Sequence, residues 1–379
     1  MSSTFESAKQ RDTVPFRHDI VGSFLRTEAI KAAREKFYAG AITQAELIRV
    51  EDHEITKLVQ KQKEAGLKAV TDGEFRRSYW HLDFFWGFDG VEHILHEHGY
   101  FFHGEETRKD SARLCGKVRF GDHPFLRHYA FLKKAAGEDV IARQTIPSPA
   151  QFYAELTRGD NEKEIARYYS DREELFQDIT RAYRGAILAF YDLGCRNLQL
   201  DDCTWGMLCD DKFWSLMAGS GYDIDGIKAL YLRLNNDAIW DLPKDLVVTT
   251  HVCRGNYHST WATSGGYEPV AQTLFAKENV SAFYLEFDTD RAGDFAPLRH
   301  VPAGKQVVLG LVTSKSGTLE DKKAIIDRIR EAAAIVPIDQ LCLSPQCGFA
   351  STEEGNILTE EEQWEKIRFI KSIADEVWR

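Results

Sequence analysis

His251 and Cys253 stand as His-x-Cys at the end of the apolar run 246–250, Glu286 ends another run, 282–285, and Cys347 closes a third, 341–345. One imidazole nitrogen, two thiolates and a carboxylate oxygen are the donors of a tetrahedral zinc shell. A solitary His-x-Cys carries little weight, because a buried cysteine is more often a packing residue and a strand-end histidine a satisfied polar group. Here three separate β-like segments each finish in a soft or borderline ligand. That pattern predicts a zinc site built on strand ends.

Such a site needs a scaffold that gathers strand ends from distant parts of the chain. Eight short β-rich runs alternate with longer stretches of helical period: 19–24, 69–74, 139–148, 197–202, 246–253, 282–288, 306–312 and 341–348. Several are near-continuous in Val, Ile and Leu, as strands buried on both faces are. Helices are expected over 44–65, 171–193, 225–240 and 318–335. Thr318 with Asp321, and Thr359 with Glu362, fit the Ser/Thr-x-x-acid pattern that satisfies free amides at a helix start. In the last helix Trp364, Ile367, Ile370, Ile373 and Val377 form one apolar stripe, read as core.

Eight alternations predict an α/β fold, a (β/α)8 TIM barrel formed by residues 1–379 as one domain, with a doubly wound open sheet as the competing arrangement. Barrel enzymes carry their chemistry on the C-terminal ends of the strands. Ser23, Glu74, Asp201, His251, Cys253, Glu286 and Cys347 all fall there.

The segment 75–137 is too long for a βα loop and is expected to be an insertion after strand 2, a lid or extra hairpins. It contains WHLDFFWGFDGVEHILHEHGYFFH. His93, His96, His98 and His103 could form a second metal site, but alternating polar and aromatic residues suit an exposed hairpin better. Trp80, Phe84, Phe85 and Trp86 fit a core, a lid or the subunit contact of a homo-oligomer.

The 379 residues, 43% hydrophobic, are enough for a sizeable core. A formal charge of −11 with no basic run argues against a nucleic-acid partner. No stretch reaches the roughly 18 apolar residues of a membrane span, and the N-terminus lacks a signal-peptide core. Seven cysteines without framework spacing suit a reducing compartment, so a cytoplasmic location is expected.

The strings IVGSFLRT at 20–27, TDGEFRR at 71–77, LQLDD at 198–202, THVCRGNY at 250–257, YLEFD at 284–288 and SPQCGF at 344–349 resemble cobalamin-independent methionine synthase. The resemblance spans nearly the whole chain but covers only that family's C-terminal catalytic barrel. It implies that His251, Cys253, Glu286 and Cys347 hold Zn2+, with 33 residues from Cys253 to Glu286 and 61 from Glu286 to Cys347. It implies that Ser23, Glu74 and Asp201 hold the amino-acid part of homocysteine, the two carboxylates at its ammonium group and the Ser23 region at its carboxylate. The implied reaction is methyl transfer to the homocysteine thiol, giving methionine, from methyl-tetrahydrofolate or another methyl carrier such as a corrinoid protein.

Two departures from the family's pattern stand out. GLVTSKSG at 310–317 places Lys315 where the family has a histidine, and the strand-four motif is DDCTW instead of Asp-Glu-Pro-Ala. Lys315 is open to three roles: proton donor to the leaving amine, anchor for an anionic substrate group, or solvated loop lysine. Two other readings of the chain remain: a zinc-dependent alkyltransferase using another thiol such as coenzyme M, and a zinc-binding thiol sensor without catalysis.

Overall fold

Nine strands organise the computed structural model, which describes residues 8–221 and 223–379. They are β1 (Ala69–Val70), β2 (Asp89–Leu95), β3 (Asp110–Arg119), β4 (Ile141–Pro147), β5 (Asn197–Asp202), β6 (Val247–Val252), β7 (Ala282–Glu286), β8 (Gln306–Val312) and β9 (Leu341–Pro345). Seven make one parallel sheet in the order β1-β4-β5-β6-β7-β8-β9, and β2 and β3 form an antiparallel pair. β4 to β9 are almost wholly buried. Burial on both faces, between helices outside and barrel-filling side chains inside, is what their continuous apolar runs encode.

The run at 19–24 is not a regular strand, yet it closes the ring. His18 bridges Leu343 in parallel, the Asp19 N–H donates to the Leu343 carbonyl at 2.9 Å, and on the other flank the Phe24 N–H donates to the Gly73 carbonyl at 3.1 Å. Side chains replace the missing ladder: Arg143 donates to the Ile20 carbonyl at 2.7 Å and Gln199 to the Val21 carbonyl at 2.7 Å. The result is a (β/α)8 barrel with seven laddered staves and one held largely by side chains. Its interior carries a charged layer, Arg143 paired to Asp19 at 2.8 Å and both enclosed.

The predicted run 69–74 is also shorter than expected. β1 ends at Val70 because Gly73 (φ 67°) and Glu74 (φ 61°) take left-handed conformations that no strand accommodates. Between β1 and β4 the chain builds the β2–β3 hairpin and the helix Pro124–Ala136. His93 pairs with Asp110, His98 with Glu106, and His103 stacks on Trp261, so these histidines do not gather round one point.

Helices Gln44–Glu64, Arg172–Asp192 and Ile224–Ala238 lie within two residues of the sequence expectation. The helix expected from 318 begins instead at Lys322, capped by Asp321 accepting from the Ala324 N–H at 2.8 Å; the Thr318 carbonyl is taken by the Lys366 ammonium. Thr359 and Glu362 do form a reciprocal capping box on the helix Glu360–Val377. Its stripe Trp364, Ile367, Ile370, Ile373 and Val377 is buried. Thr359→Ala is expected to lower stability by about 1 kcal/mol, read as a reduced urea midpoint at unchanged slope. Among the described residues no helix is long and apolar enough to cross a membrane.

Candidate metal centre and its cavity

Parallel register does most of the positioning. It pairs Asp201 on β5 with His251 on β6, and His251 with Tyr284 on β7, so that Glu286 stands two residues further along at the same rim. Cys253 follows the last residue of β6, and Cys347 lies two residues past β9. The ligand atoms of His251, Cys253, Glu286 and Cys347 all lie within 4.8 Å of one another, and all four residues are buried.

The donor set is compatible with a metal in its sulfur–sulfur distance, which is also the distance of two thiols in contact. The Cys253 and Cys347 sulfurs are 3.7 Å apart, far from a disulfide bond. Two thiolates on a tetrahedral zinc, each about 2.3 Å from the ion, stand about 3.8 Å from each other. His251 is oriented from both sides: Nδ1 lies 3.4 Å from Asp201 Oδ1, and Nε2 lies 3.3 Å from the carbonyl of Gln346, next to Cys347. Such carboxylate–histidine contacts accompany most metal-binding histidines.

Glu286 is the most enclosed of the four. Its Oε1 accepts from the Arg254 N–H at 2.9 Å, and its Oε2 lies 3.4 Å from Arg291 Nη2. Tyr267 clamps its backbone, with the hydroxyl accepting from the Glu286 N–H at 2.9 Å and donating to its carbonyl at 3.2 Å. A third thiol, Cys203, contacts Cys253, which lowers its pKa, but burial and the neighbouring Cys347, Asp202 and Glu286 together leave it raised.

Beside the cluster sit the three other residues singled out in the sequence. Ser23 Oγ accepts from the Ala350 N–H at 3.2 Å. A Cβ at Gly348 would lie 2.0 Å from that oxygen, so only glycine lets the chain after Cys347 pass there. Asp201 Oδ1 accepts from Gln199 at 2.8 Å. Glu74 is buried, with Oε1 accepting from Thr145 at 3.0 Å and lying 3.2 Å from Arg77, while Oε2 has no hydrogen-bond partner among the described residues. Burial pushes the Glu74 carboxyl up to about 7, with Arg77 pulling the other way and Asp201 adding to the rise. A buried carboxylate with one orphaned oxygen, on a residue held at a left-handed φ, suits a receptor for a cation.

These groups form the deep end of one cavity of about 1650 Å³. Its lining includes Trp80, Tyr100, Phe102 and His103 from the 75–137 segment, with further residues from 151–164 and 203–231. Lys315 stands one side chain behind the wall: its Nζ donates to Asn256 Oδ1 at 3.0 Å, and Asn256 lines the cavity. Sequence reasoning did not single out Arg77, Cys203, Arg254 or Arg291 as parts of this site. Arg254 and Arg291 are close in sequence to Cys253 and Glu286, the one available signal; Arg77 and Cys203 have no spacing that marks them.

Comparison with known proteins converges on one family. Residues 16–94 and 165–363 match the catalytic domain of cobalamin-independent synthase. The chain is 49% identical over 375 residues to YxjH of Bacillus subtilis (strain 168), a protein itself uncharacterised, covering 99% of this chain and 97% of that one. A solved Listeria monocytogenes protein, described as a candidate vitamin-B12 independent methionine synthase, is 42% identical with a TM-score of 0.78, covering 97% of this chain and all of that one. The fold also matches a B12-independent methionine synthase from Shewanella sp. W3-18-1, solved with selenomethionine, at 19% identity and a TM-score of 0.66, covering 89% of this chain and 90% of that one. A barrel rim bearing a His/Cys/Glu/Cys cluster, together with these matches, identifies the chain as a member of the cobalamin-independent methionine synthase family, corresponding to its catalytic domain.

Proposed function

We propose that this chain is a zinc-dependent methyltransferase that moves a methyl group to the thiol of homocysteine, giving methionine, with methyl-tetrahydrofolate or another methyl carrier as donor. The observation that carries the reading is the juxtaposition of the four-ligand cluster, three of whose members line one cavity, with Asp201 and with Glu74, one of whose oxygens lacks a hydrogen-bond partner among the described residues. Zinc held by His251, Cys253, Glu286 and Cys347 would strip the proton from a bound thiol and leave an electron-rich sulfur nucleophile.

The protein's own groups supply the rest. Glu74 and Asp201 pair with the substrate ammonium, and the Ser23 hydroxyl with the backbone around 348–350 receives its carboxylate. Trp80, Tyr100 and Phe102 give this cavity apolar surface for the rest of the substrates. Lys315 holds Asn256 on the cavity wall, and proton delivery to a leaving tertiary amine requires its side chain to swing past Asn256. A sulfonate acceptor such as coenzyme M has no ammonium group, so it would leave Glu74 and Asp201 without a function.

Zinc-loaded protein is expected to bind homocysteine in calorimetry; its failure to do so would defeat the acceptor assignment. Methionine isolates the ammonium contribution, because it has no titrating thiol. With Glu74 half-protonated at about 7, methionine affinity should fall as pH drops from 8 to 5, by up to about tenfold per unit below 7. The sign follows from the ionised carboxylate being the binding form. Glu74→Gln should bind weakly and independently of pH across that range.

A further inference from the structure

Glu286 sits where two demands compete. Its side chain is fully enclosed, so a carboxylate displaced from a metal by an arriving thiol has no water to turn to. A buried anion without partners is heavily penalised, and it needs a receptor within reach of a side-chain rotation. The surroundings contain one. The Arg254 N–H already lies 2.9 Å from Oε1 and Arg291 Nη2 lies 3.4 Å from Oε2.

This receptor is only half engaged. The same Arg291 Nη2 lies 3.1 Å from Asp288 Oδ1, so it is shared between two carboxylates, and the buried Arg291 Nε has no hydrogen-bond partner among the described residues. The Arg254 guanidinium lies 4.4 Å over the Tyr267 ring and interacts with the Tyr267 hydroxyl and the Cys209 thiol, so its charge stays beside Glu286 while its backbone N–H makes the direct contact. Two guanidinium charges thus lie on the Glu286 side of the cluster, and Arg291 has a donor to spare. Tyr267 fixes the Glu286 backbone, which leaves its side chain as the movable part.

We propose that Arg291, assisted by the backbone N–H and charge of Arg254, is a positioning residue that competes with the metal for the Glu286 carboxylate and holds it once a substrate thiol has taken its place. Asp288 sets the balance by drawing Arg291 away. In the exchange the sulfur–metal bond forms, the Glu286 oxygen–metal bond breaks, and the thiol proton leaves to solvent. This rests on the metal reading of the cluster.

The balance makes paired, opposite predictions. Arg291→Met removes the competitor, so zinc should bind about tenfold more tightly against a chromophoric chelator, while homocysteine should bind the zinc-loaded protein about tenfold more weakly. Asp288→Asn frees Arg291 for Glu286, and both changes should reverse sign. Arg291→Lys should restore most of the thiol affinity. In cobalt-loaded protein, the visible absorption change on adding homocysteine should require a higher thiol concentration in Arg291→Met and a lower one in Asp288→Asn. Arg291→Met and Asp288→Asn moving zinc affinity in the same direction, or neither moving it, would overturn the proposal. Should Arg291→Met not fold, Asp288→Asn and Arg291→Lys still decide it through chelator competition. Wild-type protein that takes up no zinc is a separate outcome, because it removes the metal reading itself.

Discussion

Cys347→Ala is expected to purify with no zinc, where the wild-type chain under reducing conditions carries one per chain. Four-ligand zinc sites are worth about 10–16 kcal/mol in binding, or roughly 2.5–4 kcal/mol per ligand, so one lost thiolate should weaken binding by ~100- to ~1000-fold. The substitution removes little else. Cys347 lies in the turn after β9, where the backbone is held by the Gln346 N–H donating to the Val312 carbonyl at 2.8 Å and the Phe349 N–H donating to the Ser23 carbonyl at 3.0 Å. Cys342→Ala is the control: that thiol is buried in β9, near the Pro15 carbonyl, and outside the cluster. It should keep its zinc. Full zinc in the Cys347 variant would remove Cys347 from the ligand set.

Asp201→Ala should retain zinc and lose homocysteine. Truncating one partner of a buried charge pair costs about 2–5 kcal/mol, hence ~30- to ~5000-fold in affinity. Asp201 also has a second task, visible in the 3.4 Å contact between its Oδ1 and His251 Nδ1. Loss of a carboxylate that orients a metal-binding histidine typically weakens metal binding by about 10–100-fold. Zinc stoichiometry at micromolar protein should therefore survive, while competition with a strong chelator should reveal the weaker hold. Homocysteine titrations at saturating zinc separate the two effects. Unchanged homocysteine affinity under those conditions would exclude Asp201 from substrate binding.

The ladders β4 to β9 were legible in the sequence because a strand buried on both faces is written as a run of apolar residues, and burial is a local demand. The same holds for the Thr359–Glu362 capping box, whose partners are three residues apart. The strand expected over 69–74 stops at Val70: Thr71, Asp72 and Gly73 already leave the apolar pattern, and nothing in the identity of Glu74 signals φ 61°. Thr318 was over-read too: two overlapping capping patterns compete at 318–324, and the structure uses Asp321.

By itself, the sequence determined that His251, Cys253, Glu286 and Cys347 lie at the ends of strand-like runs, because each follows a stretch whose burial is a near-neighbour property. Only the tertiary structure decided their mutual distances, the orphaned oxygen of Glu74, and the sharing of Arg291 between Glu286 and Asp288. Those facts depend on strand register and on side-chain pairs across the barrel rim, such as Arg77 with Thr145, whose long separations along the chain leave no periodic trace.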